Sequence, residues 1–174
     1  MAPWEGWQVP AFRHAGKSKS VTLTRVQLAI RRISSNVAET PFEVMEGFNE
    51  RWWNRLVQGE RWEWFSFLDV GGTEVARAEC VPGAHVGRAY ASVSIPADGF
   101  VEIAFLEVRA GTRRQGVGRE VVRLLEEAHP GRQLAAFSEH ADEFWSALGW
   151  QRHIRLNRNP QPYRPLFVSP AAVL

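Results

Sequence analysis

The residues able to do chemistry cluster between Phe100 and Trp150. Phe100-Val101-Glu102-Ile103-Ala104-Phe105-Leu106-Glu107-Val108 reads as an apolar strand. Arg113, Arg114 and Gln115 follow, and Gly116-Val117-Gly118-Arg119 opens a helix. Such a junction points several backbone N–H groups at one spot, and the helix N-terminus adds partial positive charge there. With three arginines beside it, the spot suits a phosphate or pyrophosphate. Glu102 interrupts the apolar run. A carboxylate there is costly to bury unless it is paired or set in a cleft. Burial raises its pKa toward a value useful for taking a proton from an ammonium, through water, so Glu102 is a candidate general base. A Glu at an exposed strand end or in an ion pair is the competing reading. Glu107 has the opposite strand parity and reads as structural.

Two phosphate motifs are excluded. A dinucleotide fingerprint needs G-x-G-x-x-G, and Val121 stands where the third glycine belongs. A P-loop needs G-x-x-x-x-G-K-[ST]. Gly111 and Gly116 have that spacing, but Val117 and Gly118 replace the Lys and the hydroxyl residue.

What remains, Arg113-Arg114-Gln115-Gly116-Val117-Gly118, resembles the R-x-x-G-x-G acyl-CoA signature of the GNAT superfamily of N-acyltransferases. Downstream, Ala141-Asp142-Glu143-Phe144-Trp145-Ser146-Ala147-Leu148-Gly149-Trp150 is similar to that superfamily's A-x-x-F-Y-x-x-x-G-F helix and turn. The order and the gap also match. The resemblance is firm from about Phe100 to Trp150 and weak before Trp62. It implies a single mixed α/β domain over 21–174, with a mostly antiparallel sheet flanked by helices, after an extension over 1–20. It implies an enzyme moving an acetyl group from acetyl-CoA, or another acyl-CoA, to a primary amine without a metal. The pyrophosphate would lie on Arg113, Arg114, Gln115, Gly116, Val117, Gly118 and Arg119. The backbone of Leu106 to Val108 would pair with the pantetheine arm, and the Val108 N–H would meet the acyl oxygen. Glu102 falls where the histone acetyltransferase branch carries its catalytic Glu. Two departures stand out. Ser138 occupies a place where many relatives have an Asn near the pantetheine. Trp145 replaces the Tyr that protonates the departing thiolate, and an indole N–H does not release a proton at neutral pH. Trp145 is therefore expected as a packing wall beside the arm, on the stripe of Ala141, Phe144 and Leu148. Ser146, Tyr90, Tyr163 and water remain as donors. A thiol of pKa about 8.5 can also leave unaided as the thiolate.

The chain has 174 residues, 45% of them hydrophobic, which suffices for one well-filled core. The single cysteine, Cys80, forbids an internal disulfide, sits in an apolar run and is expected to be packed. The five His are scattered without metal-ligand spacing. A net charge of +2 is too small to argue for nucleic acid. No run of about 18 apolar residues is present, so no membrane span is expected. No signal-peptide pattern opens the chain. The expectation is a cytoplasmic protein; a homodimer stays open.

Other elements must position these residues. Val21 to Ile30 starts as an alternating strand and shifts phase, by a bulge or an early helix start. Thr40-Pro41-Phe42-Glu43 reads as a helix start with a capping box. Met45, Phe48, Trp52 and Leu56 recur at helical spacing up to Gly59, and the resemblance makes this helix a wall of the acceptor site. Of Trp52 and Trp53 one is expected in the core; the other is half-exposed or lines a pocket. Strands are expected at Trp62–Val70, Thr73–Val81 after a Gly71-Gly72 turn, Arg88–Ile95, Phe100–Val108, Leu134–Phe137, Gln151–Leu156 and Tyr163–Val168. Helices are expected at Gly116–Ala128 and Ala141–Leu148. Leu134–Phe137 should run parallel to Phe100–Val108 through a βαβ crossover. Two further readings remain: a non-catalytic acyl-CoA-binding module, favoured by Trp145, and an acyltransferase toxin acting on charged tRNA, motivated by Arg152, Arg155, Arg158 and Arg164.

Overall fold

The computed structural model describes residues 21–29, 31–32, 37–58, 61–87, 90, 92–155 and 164–171. The readings made for residues 1–20, Arg88, Arg158 and Tyr163 lie outside them. Ten strands and three helices are described. The strands are β1 (Thr24–Leu28), β2 (Arg31–Arg32), β3 (Val37–Glu39), β4 (Leu56–Gln58), β5 (Glu63–Leu68), β6 (Glu74–Ala84), β7 (Phe100–Val108), β8 (Leu134–Phe137), β9 (Gln151–His153) and β10 (Leu166–Val168). The helices are α1 (Glu50–Trp53), α2 (Val117–Ala128) and α3 (Asp142–Ala147). A seven-stranded sheet runs β1-β5-β6-β7-β8-β10-β9, and β2-β3-β4 form a small second sheet. In the large sheet only β7 and β8 pair in parallel, with α2 between them in the chain. A mixed, mainly antiparallel sheet in one domain is the fold class that the GNAT resemblance implies.

The nearly continuous apolar run of Phe100–Val108 puts β7 at the centre of the sheet, where both faces are covered. One face carries Ala76, Ala78, Cys80, Val101, Ile103, Leu134 and Ala136. It packs on Val117, Val121, Val122 and Leu125 of α2 and on Trp145 of α3. Cys80 is fully buried there, and burial pushes its thiol well above the ordinary value. The opposite face has two separate covers. Residues 38–57 lay Phe42, Trp53 and Val57 over Trp64 and Phe105. Val86, Tyr90 and Val93 lie over Phe100, Ala135 and Leu166.

Three expectations are corrected. The Thr40–Gly59 helix does not form. Only Glu50–Trp53 is helical, and Leu56–Gln58 is a strand. The Thr40 hydroxyl caps nothing; it donates to the Trp53 carbonyl, and the Thr40 N–H bonds Arg55 O at 3.3 Å. The cap that exists is Asn49, whose Oδ1 accepts from Arg51 N. Of the residues read as a helical stripe, Phe48 and Trp52 pack against the cluster of Phe42, Trp53 and Trp64, while Leu56 is 61% exposed. Second, the described part of Arg88–Ile95 is not a strand. Tyr90 and Val93 are held by turns, with N–H bonds to Gly87 O and Tyr90 O. Third, Ala104 is a bulge: Cys80 pairs with Ile103 and Glu79 with Phe105, leaving Ala104 without an opposite residue. The bulge reverses parity beyond it. Glu107 therefore shares a face with Glu102 instead of opposing it.

Candidate active site

The pairing of β7 with β8 is brief. Val101 faces Leu134, Glu102 faces Ala135, and there the register ends although both strands continue. Beyond Glu102 the sheet is split. On its intact side β7 still pairs with β6 up to Val108–Ala76. Arg109 N donates to Val75 O at 2.8 Å, so Val108–Ala76 is a pair that exchanges no hydrogen bonds. The N–H of Val108, and that of Leu106 two residues back, consequently point away from β6 and into the split.

The split is a cleft of about 340 Å³. Ala104 to Val108 form one side, Phe137, Ala141, Phe144 and Trp145 the other. Arg113 and Gly118 lie beside Val108, and Trp52 lies beside Phe105. A polar groove of about 1150 Å³ adjoins it, lined by Arg114, Ser138, His140 and Asp142 among others. A third hollow of about 360 Å³ lies between the start of α2 and the end of α3, against Gly116, Arg119 and Leu148. Arg113 and Phe144 line all three, so the cavities adjoin one another at the basic turn.

The turn is built for a close approach. Gly116 has φ +91, a left-handed conformation that side chains disfavour, and it starts α2 without a side-chain cap. The first N–H groups of a helix have no partner within it and face outward. Arg114 also has positive φ, +60. Arg113 Nε donates to Val108 O at 2.9 Å, and its Nη2 meets Glu107 Oε1 at 3.3 Å. Gln115 Nε2 bonds Gly111 O and Arg119 Nη2 bonds Ala147 O. Gly118 lines the cleft and the third hollow, and a Cβ there would lie 3.0 Å from Phe144 Cε2. It lets α2 and α3 pack closely.

Glu102 sits where the split begins, the last β7 residue paired with β8. Burial, and secondly the charge of Glu79, raise its pKa above the ordinary carboxylate value. Glu102 does not line the cleft itself; Ala104, two residues on, does. Trp145 is 5% exposed, its ring 4.8 Å from Phe144 and 4.7 Å from Trp150, and it forms part of the cleft wall. Ser138 lies in the polar groove and not in the cleft. Its hydroxyl donates to Asp142 Oδ1 at 2.6 Å and accepts from Ala141 N, so it braces the start of α3. Tyr90 donates its hydroxyl to Arg164 O at 2.6 Å and stacks edge-on with Phe137.

The sequence did not disclose the buried polar partners of this site. Glu79, fully buried on β6, receives Arg55 Nη2 at 2.7 Å on both oxygens and Trp64 Nε1 at 3.0 Å. Desolvation still outweighs these contacts and raises its pKa. Glu107 accepts from Trp53 Nε1 at 2.7 Å and Asn49 N at 2.9 Å. An isolated Glu in an alternating strand carries no local signal of such partners. Among the described residues no His, Cys, Asp and Glu group could hold a metal ion. No described helix is long and apolar enough to cross a membrane.

No family model and no curated protein matches this sequence. Solved structures do. The chain is similar to a histone acetyltransferase HPA2 and related acetyltransferase from Corynebacterium glutamicum, with 14% identity over 66% of this chain and 67% of that one, TM-score 0.46. It is similar to the Bacillus subtilis N-acetyltransferase YlbP in complex with coenzyme A, with 15% identity over 61% and 66%, TM-score 0.45. It is also similar to the ribosomal-protein-S18-alanine N-acetyltransferase from Escherichia coli, with 19% identity over 67% and 74%, TM-score 0.43.

Proposed function

We propose that the chain is a GNAT-like acyltransferase that moves an acetyl group from acetyl-CoA to a primary amine. One observation carries the reading: the sheet splits beyond Glu102, and the opening runs from free strand N–H groups to a glycine-started helix flanked by Arg113, Arg114 and Arg119. A pyrophosphate fits the start of α2, and an extended arm with two amides fits the open edge of β7.

In this reading the thioester supplies an activated acyl group, and the chain's own residues do the rest. Gln115 to Arg119 hold the pyrophosphate. Trp145 and Phe144 flank the arm. Counting from the turn, Val108 comes first and Leu106 about 7 Å further along the strand. The arm's amide therefore takes Val108, and the acyl oxygen takes the Leu106 N–H, one step further from the turn than the resemblance alone implied. Glu102 accepts the ammonium proton through water. The amine nitrogen then bonds the carbonyl carbon, the C–S bond breaks, the thiolate leaves without an acid from Trp145, and water carries the second proton of the nitrogen to that thiolate.

Calorimetry with CoA is the primary test, and absence of binding overturns the reading. Screening primary amines with acetyl-CoA for thiol release then separates two readings. Release with some amine establishes catalysis. Tight CoA binding with no release for any amine identifies instead a non-catalytic acyl-CoA-binding module, the reading that Trp145 in place of Tyr favours.

A further inference from the structure

The geometry points to Trp52 as the residue that limits donor chain length: its ring closes the acyl end of the cleft and confines the donor to short acyl groups such as acetyl and propionyl. This rests on the acyl-CoA reading above. Among the lining residues Arg113 and Gly118 lie against Val108, nearest the basic turn, whereas Ala104 and Phe105, with Trp52 packed on Phe105, lie further back along β7. An acyl oxygen on Leu106 N–H directs the acyl tail toward those residues. There the Trp52 ring lies 5.5 Å from the Phe105 ring, tilted at 55°.

What makes Trp52 a barrier rather than a loose flap is how it is held. It rides on α1, a helix of four residues, too short to be stable alone. Two buried carboxylates on neighbouring strands bolt that helix at both ends. Glu107 Oε2 accepts from Asn49 N at the start of α1 and from Trp53 Nε1, the side chain of its last residue. Past its end, Arg55 Nε donates to the Trp52 carbonyl at 2.9 Å, while Arg55 Nη2 grips Glu79 at 2.7 Å. The same guanidinium lies 4.5 Å over the Phe105 ring. Arg55 thus holds the backbone that carries Trp52 and at the same time covers the Phe105 ring. Burying two carboxylates is costly, and here they jointly fix the backbone that carries one aromatic ring.

The test is calorimetry on the full chain with CoA, acetyl-CoA, butyryl-CoA and hexanoyl-CoA, repeated with Trp52→Ala and Trp52→Leu. In an open apolar cleft each added methylene tightens binding about fourfold. In the wild-type protein affinity is expected to stay flat or fall from acetyl to hexanoyl. In Trp52→Ala it should rise with chain length while CoA affinity stays within about threefold of wild type; Trp52→Leu, which keeps apolar packing on Phe105, should fall between. Wild-type affinity that rises with chain length overturns the inference. So does a Trp52→Ala or Trp52→Leu protein that binds CoA normally and still rejects hexanoyl-CoA, or one that changes only which amines are acylated. Absence of CoA binding to the wild-type protein sinks the acyl-CoA reading itself, and this inference with it.

Discussion

Glu102 carries an ionisable carboxyl where burial disfavours its charge. Burial and the nearby Glu79 charge both favour its protonated form. Its folded pKa lies above the ordinary value of about 4.3, so between those two values the folded chain binds more protons than the unfolded one. Stability therefore falls as pH rises through that window. Glu102→Gln mimics the protonated acid at every pH. Its melting temperature should match wild type near pH 4 and exceed it at pH 8; an equal offset at both pH values would assign the residue to another role. The same variant should keep CoA affinity and lose about 10²–10⁴ in turnover, the usual worth of a general base.

At the scale of elements, the cleft depends on how α2 starts and how α3 leans on it. Gly116 needs its left-handed conformation, so Gly116→Ala should cost about 1–2 kcal/mol in denaturant unfolding. Gly111→Ala, where a Cβ meets nothing within 4 Å, should be close to neutral. Gly118→Val drives atoms into Phe144 and should cost about 1–3 kcal/mol of overpacking. Because Phe144 lines the cleft, that variant should lose CoA affinity along with stability. Trp145 is buried against Phe144 and Trp150, so Trp145→Ala should cost about 3–5 kcal/mol. Trp145→Phe should fold and retain most activity. If it folds, binds CoA and yet is catalytically dead, the indole N–H takes part in the chemistry.

Across the whole molecule, the covers on the sheet are held by polar contacts as well as by apolar packing. The cover of residues 38–57 is anchored by buried ionic and indole contacts to Glu79 and Glu107, besides its apolar packing. Glu107→Ala would leave the buried Trp53 Nε1 without its acceptor, costing about 1–3 kcal/mol, and would free the more exposed Asn49 N. It would also release Arg113 at the mouth of the cleft. Hydrogen exchange should speed up over residues 49–55 in that variant while α2 stays protected. Uniform acceleration through α2 would show that the cover and the sheet unfold as one unit.

The sequence by itself determined the parts whose signals are local. The apolar run of β7, the glycines that start α2, the helical stripe ending at Gly149 and the basic turn all follow from residue types within a few positions of one another. Each commits its backbone whatever it packs against. Tertiary structure decided what depends on a distant partner. Ala104 becomes a bulge only through the pairing of β7 with Glu79 and Cys80, and that one extra residue turns Glu107 onto the face of Glu102. Thr40 carries every local mark of a helix cap, yet the carbonyl of Trp53 claims its hydroxyl. β10 enters between β8 and β9, an order that neither strand's own residues encode. Trp52 and Trp53 are the same side chain at adjacent positions. Trp53 reaches the buried Glu107 and Trp52 faces the cleft, because strands far along the chain supply the carboxylates that orient their helix.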